Sequence, residues 1–170
     1  MIPFKASQIK EEGILHLSME GEIQATCDFP ILNLDGIKKL DLDIGKVTYI
    51  NSGGIRNWIV WIVELNKNYP HVDFVFQQIP PIIISQISNI DSFIPKKSKI
   101  KSVYIPFFCD HCGASASRLF EPQQYFEAAK SKTEIIAAMS DMSCPKCTKP
   151  MEIDAFPDKY LTCLERHRSN

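Results

Sequence analysis

Four cysteines in two matching pairs are the residues of this sequence best suited to chemistry. They occur as "CDHC", Cys109 to Cys112, and "CPKC", Cys144 to Cys147. Each C-x2-C pair can present two thiolates to one ion, and four sulfurs make the tetrahedral set that structural zinc prefers. Since four protein sulfurs leave no position for water, the spacing predicts a structural Zn²⁺ bound by Cys109, Cys112, Cys144 and Cys147.

Other chemistries use the same residue types. Iron in a rubredoxin-like site takes four cysteine sulfurs, and C-x2-C pairs also serve thiol–disulfide exchange. His111 could replace a cysteine as ligand, although a residue inside such a pair more often points to solvent. Cys27 and Cys163 lack the spacing of metal ligands. We therefore expect each of them to behave as a small, buried apolar residue in a reducing compartment. Zinc is the metal that the spacing favours.

A second candidate is Ser52, in the stretch "YINSGGIRNWIVWIVEL". Apolar periodicity predicts a helix over residues 53–66, with Ser52 as its N-cap, accepting a backbone N–H group. Gly53 and Gly54 allow close approach of the chain or unusual dihedral angles. The N–H groups and macrodipole of a helix N-terminus would also stabilise a phosphate on the serine hydroxyl. Both roles are open at this point.

The predicted helix has more apolar surface than one packing face needs. Trp61 and Val63 lie beside the core face and widen the apolar arc. Trp61 either packs under a neighbouring helix or belongs to a surface that binds a protein partner, since aromatic residues recur at interface hot spots. The core face itself consists of Ile55, Trp58, Ile59, Ile62 and Leu65.

Alternating strand and helix patterns predict an α/β fold, a sheet covered by helices. Strand candidates are Gly13 to Ile23, Leu40 to Ile44, Val72 to Phe76 and a segment from Ile100 that leads into the first cysteine pair. Besides the helix at 53–66, a weak helix is predicted around "CDFPILNLDGIKK" and a short one around "PPIIISQISNI".

The chain divides into two predicted units. Residues 1–105 form the α/β domain, and residues 106–170 form a zinc-ribbon-like module. The 31 residues between the cysteine pairs, 113 to 143, contain "EPQQYFEAAKSKTEIIAAM", which we expect to be a helical insertion. Apolar residues of the tail are expected to cover the module or to dock it on the first domain: Met151, Ile153, Phe156, Tyr160 and Leu161.

Composition and charge exclude several classes of protein. With 45% hydrophobic and 23% charged residues the chain is typical of a globular protein, and its apolar runs fall short of the roughly 20 residues that cross a bilayer. The start "MIPFKASQIKEEG" lacks a secretory pattern, so a cytoplasmic location is expected. A net charge of -1, evenly spread, argues against nucleic-acid binding. No nucleophile elbow, P-loop or telling carboxylate pair is visible, and we expect no enzyme.

One segment carries a family resemblance. "LDLDIGKVTYINSGGIRNWIVWI", residues 40–62, resembles the central signature of STAS domains, the sulphate-transporter and anti-sigma-factor-antagonist fold, in which a strand ends in an aspartate-serine-small-glycine turn that opens a helix. "LSMEGEI" upstream fits the strand and glycine-glutamate segment near the start of that domain. The resemblance covers roughly residues 5–105 and implies a STAS-like mixed β-sheet covered by helices.

The resemblance also implies a function. In anti-sigma-factor antagonists the matching serine is phosphorylated by a partner serine kinase, and the unphosphorylated form sequesters that partner. Carried over, Ser52 is the phospho-acceptor, and Asn51 stands where the family usually has aspartate. The implied protein is a bacterial signalling adaptor that binds a regulatory protein, such as a serine kinase or anti-sigma factor. The implied partner-binding residues are Asn51, Gly53, Gly54, Arg56 and Trp61.

Three alternatives remain open from the sequence. The protein is a constitutive docking scaffold without phosphorylation, a zinc-ribbon regulator that binds nucleic acid, or a redox protein acting through its cysteines. The oligomeric state is also open, and a homo-oligomer is compatible with the sequence.

Overall fold

The computed structural model describes residues 2–128 and 130–168. The first part of the chain forms β1 (Lys5–Glu11), β2 (Ile14–Ile23), β3 (Lys39–Ile50), α1 (Ser52–Asn68), β4 (Asp73–Gln77), α2 (Pro81–Asn89) and β5 (Lys99–Ile100). The second part forms β6 (Val103–Phe108), β7 (Ser115–Phe120), α3 (Gln123–Glu127), α4 (Lys132–Ser140), β8 (Glu152–Ile153) and α5 (Pro157–Arg166).

The first part is built on a mixed sheet of five strands in the order β1-β2-β3-β4-β5. β1 is antiparallel to β2, whereas β2, β3, β4 and β5 run parallel. Strict alternation along β2 buries Leu15, Leu17 and Met19 in the core that Trp58 and Ile62 of α1 also join. The predicted α/β class, a mixed sheet with helices packed on it, is confirmed, and the chain also contains a second sheet and a four-cysteine cluster.

The hydrophobic pattern of the sequence did not predict the first strand, β1. All seven residues of β1 are exposed, so its sequence "KASQIKE" carries no apolar alternation. A two-residue turn joins it to β2, with Glu12 at φ 45 and Gly13 at φ 81, the combination that a type I′ hairpin requires. The turn, rather than burial, specifies this strand.

The weak helix predicted around residues 27–39 is wrong. Residues 24–38 contain only turns and extended chain before β3 begins. Pro30 has no N–H group to donate within a helix, and Gly36 adopts φ 73. Leu32 and Leu34 are buried while the intervening Asn33 is exposed, which is the alternation of an extended segment.

The strand predicted from Ile100 is two strands in two sheets. β5 closes the first sheet with two residues, and β6 pairs with β7 and β8 in an antiparallel sheet of order β7-β6-β8. Between them, the Ser102 hydroxyl accepts a hydrogen bond from the Gln78 N–H at 2.8 Å. The predicted domain boundary after residue 105 falls within β6, whose first residue still bridges Ile79.

In the described residues of the predicted helical insertion between the cysteine pairs there are two helices, α3 and α4. Ser131 begins α4 with a capping box, in which its hydroxyl accepts from the Glu134 N–H at 3.3 Å and Glu134 accepts from the Ser131 N–H at 2.9 Å. Ala129, which belongs to the predicted helical insertion, lies outside the described residues.

The tail helix α5 packs against α2 and α4. Tyr160 and Leu161 are buried there as predicted, whereas Phe156 is 72% exposed. Beyond α5, the Ile100 N–H donates to the His167 carbonyl at 3.0 Å. The chain therefore returns to the edge of the first sheet. Within residues 2–128 and 130–168, no helix combines the length and apolarity that crossing a membrane needs.

Candidate functional site

The two cysteine pairs lie in loops with the same backbone pattern. In the first loop the Gly113 N–H donates to the Cys109 carbonyl at 2.8 Å; in the second the Thr148 N–H donates to the Cys144 carbonyl at 2.9 Å. Gly113 and Thr148 both adopt positive φ, 69 and 61 respectively. The repeated turn presents two thiols from each loop toward the same point.

The four sulfurs form one compact group. The Sγ atoms of Cys109 and Cys147 lie 3.6 Å apart, as do those of Cys112 and Cys144. All four lie within 4.8 Å of one another. A tetrahedral ion with zinc–sulfur distances near 2.3 Å spaces its sulfurs about 3.8 Å apart, so the group fits such an ion. The structure brings together all four predicted metal ligands.

Burial divides the cluster into an inner and an outer half. Cys109 and Cys144 are buried, Cys147 is half-buried and Cys112 is exposed. His111 is exposed. Across the described ranges, these four cysteines are the group of three or more potential metal-binding side chains close enough to share an ion.

The neighbouring sulfurs shift the pKa values of two thiols in opposite directions. Burial acts to raise the pKa of Cys144, but the N–H groups of Lys146 and Cys147, together with the sulfurs of Cys112 and Cys147, outweigh it and lower the pKa to about 6. The Lys149 N–H acts to lower the pKa of Cys147, but burial and the neighbouring sulfurs raise it to about 12. Four thiolates this close need a cation to offset their charge, which supports a metal-binding role.

The other two cysteines lie outside this group. Cys163 is buried, as expected, and burial raises its pKa to about 11. Cys27 is only half-buried, and its thiol donates to the Glu22 carbonyl at 3.2 Å.

The start of α1 differs from the sequence expectation in one respect. Asn51, not Ser52, is the N-cap, because its side-chain oxygen accepts from the Gly54 N–H at 2.8 Å. Its carbonyl begins the helix by accepting from the Ile55 N–H at 2.8 Å. Ser52 is the first helical residue and is exposed. An asparagine caps as well as a serine does, so the cap leaves the serine hydroxyl facing solvent.

The two glycines hold this turn against the sheet. A Cβ atom on Gly54 would lie 2.2 Å from the Ile23 carbonyl oxygen, and one on Gly53 would lie 2.5 Å from the Ala25 Cβ. Neither distance is sterically possible without a shift of the chain. The glycines therefore let the first turn of α1 pack directly on the end of β2, and this fixes the position of Ser52.

Trp61 packs under a loop rather than under a helix. Its indole N–H donates to the Pro30 carbonyl at 3.0 Å, and its ring stacks on Phe29 at 5.2 Å between centroids. The side chain is half-buried. Its part in partner binding stays a prediction, while its structural role is to anchor the loop before β3.

The solvent-facing side of α1 carries a feature that the sequence analysis missed. Val60 is 50% exposed and Val63 is 47% exposed. At 100° per residue, they share a face with Ser52 and the exposed Arg56. We call these four residues the α1 outer face. The helical wheel places these residues on one face. It does not show that Val60 is exposed until the buried face of the helix is known.

Two carboxylates of β3, Asp41 and Asp43, contact side chains of neighbouring segments. Asp41 is buried, and its Oδ2 lies 3.4 Å from the Nδ1 of His16. Asp43 accepts from the Gln78 side chain at 2.7 Å. His16 and Asp41 are opposite one another on the adjacent strands β2 and β3.

No protein-family model matches the chain, and the search of curated proteins finds no significant match.

Proposed function

We propose that this protein is a nonenzymatic bacterial signalling adaptor of the anti-sigma-factor antagonist type, which binds a regulatory protein through the α1 outer face. The observation that carries the proposal is an exposed serine at the start of a helix, sharing one face with two exposed valines. Val60 and Val63 offer apolar surface to a partner, and Ser52 lies at the end of the helix where charge matters most. The resemblance of residues 5–105 to STAS domains supports the same surface.

We further propose that phosphorylation of Ser52 controls this binding. The first turn of α1 has no acidic side chain, so a phosphate there would meet the positive end of the helix without a competing carboxylate. Asn51 caps the helix without adding negative charge. A phosphate adds about -1.5 to -2 charge, which would oppose a close apolar contact with a partner. The partner class that follows is a serine kinase or anti-sigma factor.

The metal in this proposal is zinc, with a structural role. Four cysteine ligands leave no coordination position for a substrate. When bound, the ion would cross-link the loop after β6 to the loop before β8. Reduced cysteines of this kind fit a cytoplasmic location. The module completes the fold or supplies a second docking surface.

The experiment tests binding and phosphorylation separately. Mass spectrometry of protein isolated from its native cells asks whether the peptide with Ser52 carries phosphate. Partner capture is then compared for the wild type, Ser52→Ala, Ser52→Asp and Val60→Lys, with Leu119→Lys as control, since Leu119 is an exposed apolar residue on β7. We expect Ser52→Ala and Leu119→Lys to bind normally, and Ser52→Asp and Val60→Lys to lose at least tenfold in affinity.

The outcomes separate the alternatives. Loss of binding in Val60→Lys with none in Ser52→Asp would mean a constitutive docking scaffold that uses the same face. Normal binding by both variants would contradict the proposed surface.

A further inference from the structure

β1 forms an open edge of the five-stranded sheet. It is the terminal strand in the sheet order, and all seven of its residues are exposed. Its pairing with β2 runs from Lys5 opposite Glu20 to Glu11 opposite Ile14 without a bulge. In an antiparallel ladder alternate residues turn their backbone N–H and C=O groups away from the partner strand, so this edge presents groups that another strand can pair with.

The opposite edge of the same sheet is closed. β5 has only two residues, and its Ile100 N–H already donates to the His167 carbonyl at 3.0 Å. Short edges and covered edges are the usual protections against strand pairing. β1 is longer, pairs with β2 without a shift in register, and contains no proline. β1 is therefore the edge of this sheet that can pair with another strand.

We propose that β1 pairs with β1 of a second copy of this chain, antiparallel and centred on Gln8. This register places Lys5 opposite Glu11 of the second copy, and Glu11 opposite Lys5 of the second copy. Gln8 faces its own counterpart, and no two like charges face each other. Cross-strand pairs of opposite charge stabilise a ladder, so the strand "KASQIKE" is complementary to itself.

Charge also selects this register over its neighbours. Moving the centre by one residue to Ser7 places Lys5 opposite Ile9 of the second copy, and moving it to Ile9 places Glu11 opposite Ser7. Both shifts lose both opposite-charge pairs. Only the register centred on Gln8 pairs all seven residues of the strand.

The same register covers an exposed apolar side chain. Ile9 is 62% exposed and stands on the sheet face shared with His16. Across the two-fold axis the two Ile9 side chains become diagonal neighbours, about 7–8 Å apart between Cα atoms. One strand pair is a small interface, so we expect a weak dimer, with Kd between about 1 µM and 1 mM. The dimer is independent of the α1 outer face, which shares no residue with β1.

The test uses charge reversal in the full, zinc-loaded chain. Lys5→Glu alone and Glu11→Lys alone each turn two attractive pairs into two repulsive ones. An equimolar mixture of the two variants regenerates both attractive pairs in a heterodimer. Lys97→Glu and Glu152→Lys, both exposed and outside β1, are the matched controls. The readout is sedimentation equilibrium up to about 1 mM protein in about 50 mM salt, where screening of exposed charges is limited.

We expect the wild type and both controls to dimerise equally, and each β1 variant to weaken dimerisation at least tenfold. The mixture should recover to within about threefold of the wild type. Circular dichroism and zinc content confirm that each variant is folded. A wild type that stays monomeric at the highest concentration overturns the proposal. A dimer insensitive to both reversals, or a mixture that fails to recover, also overturns it, because the contact would then lie elsewhere.

Discussion

At the scale of single residues, the first turn of α1 divides two tasks between adjacent side chains. Asn51 satisfies the Gly54 N–H, which leaves the exposed hydroxyl of Ser52 available for modification or contact. The asparagine-serine order therefore places a stabilising side chain directly beside an accessible one.

This division predicts different costs for two neighbouring substitutions. Asn51→Ala should lower the free energy of unfolding by about 1 kcal/mol, because it removes the cap of a 17-residue helix. Ser52→Ala should change it by less than about 0.5 kcal/mol, as expected of an exposed side chain. Urea denaturation of both variants measures the difference. Equal costs, or a larger cost at Ser52, would mean that the serine contributes to the cap.

A second prediction compares the two cysteine loops. Gly113 and Thr148 occupy matching positions at φ 69 and 61, a conformation that costs a residue with a Cβ atom roughly 1–2 kcal/mol. Gly113→Ala should therefore lower the free energy of unfolding by about 1 kcal/mol. Thr148→Gly should raise it by up to about 1 kcal/mol, since relief of strain exceeds the added entropy of the unfolded chain. Thermal unfolding with excess zinc tests both, and a loss of stability in Thr148→Gly would contradict it.

At the scale of elements, the periodic segments were predictable and the unpatterned ones were not. α1 and α2 carry helical periodicity, and β2 and the first part of β3 carry alternation, so their approximate positions follow from the sequence. The continuation of β3 from Ile44 to Ile50 was not predicted. β1 has no buried residue, and the chain before β3 owes its extended form to Pro30 and to contacts with Trp61, which is distant in sequence. The cysteine spacing identified the candidate metal site, because tetrahedral coordination by two C-x2-C pairs constrains how the ligands are spaced in the sequence. Identifying the α1 outer face required knowing which side of the helix the sheet covers.

Metal removal should act on the elements that the cysteines join. We expect one tightly bound zinc per chain and, after chelation, loss of ordered structure in β6, β7 and β8, because the two loops would lose their cross-link. Cys144→Ser should lower metal content sharply, whereas Cys27→Ser, at a half-buried cysteine outside the cluster, should retain it. Elemental analysis and hydrogen exchange give the measurement. Iron in place of zinc would correct the identity of the metal, and two disulfides with no metal would favour the redox alternative.

At the scale of the whole molecule, His167, which directly follows α5, joins the four-cysteine part to the first sheet. His167 is 4% exposed, and its Nδ1 lies 3.1 Å from the Ser98 carbonyl. Its own carbonyl accepts from the Ile100 N–H of β5. A single residue therefore shields the sheet edge and fastens the helix α5 to the loop before β5.

This junction should make the stability of the whole molecule depend on pH. Burial lowers the pKa of His167, the Ser98 carbonyl acts against this, and the neighbouring Arg166 adds to the lowering. The folded state thus resists protonation while the unfolded chain takes up a proton near pH 6.5. The contribution of the neutral imidazole is complete above about pH 6.5 and is lost as pH falls from there toward the folded pKa.

The variant His167→Asn isolates this effect, because its amide can still donate to the Ser98 carbonyl but does not titrate. Wild type and variant should both lose stability in acid, since the thiolates of the proposed metal site become protonated in both. Between about pH 7 and pH 5 the wild type should lose more than the variant. Thermal unfolding across that range measures the difference between the two curves. Parallel curves would show that His167 remains neutral, or charges equally, in the folded and unfolded chain, and the junction would then hold independently of pH.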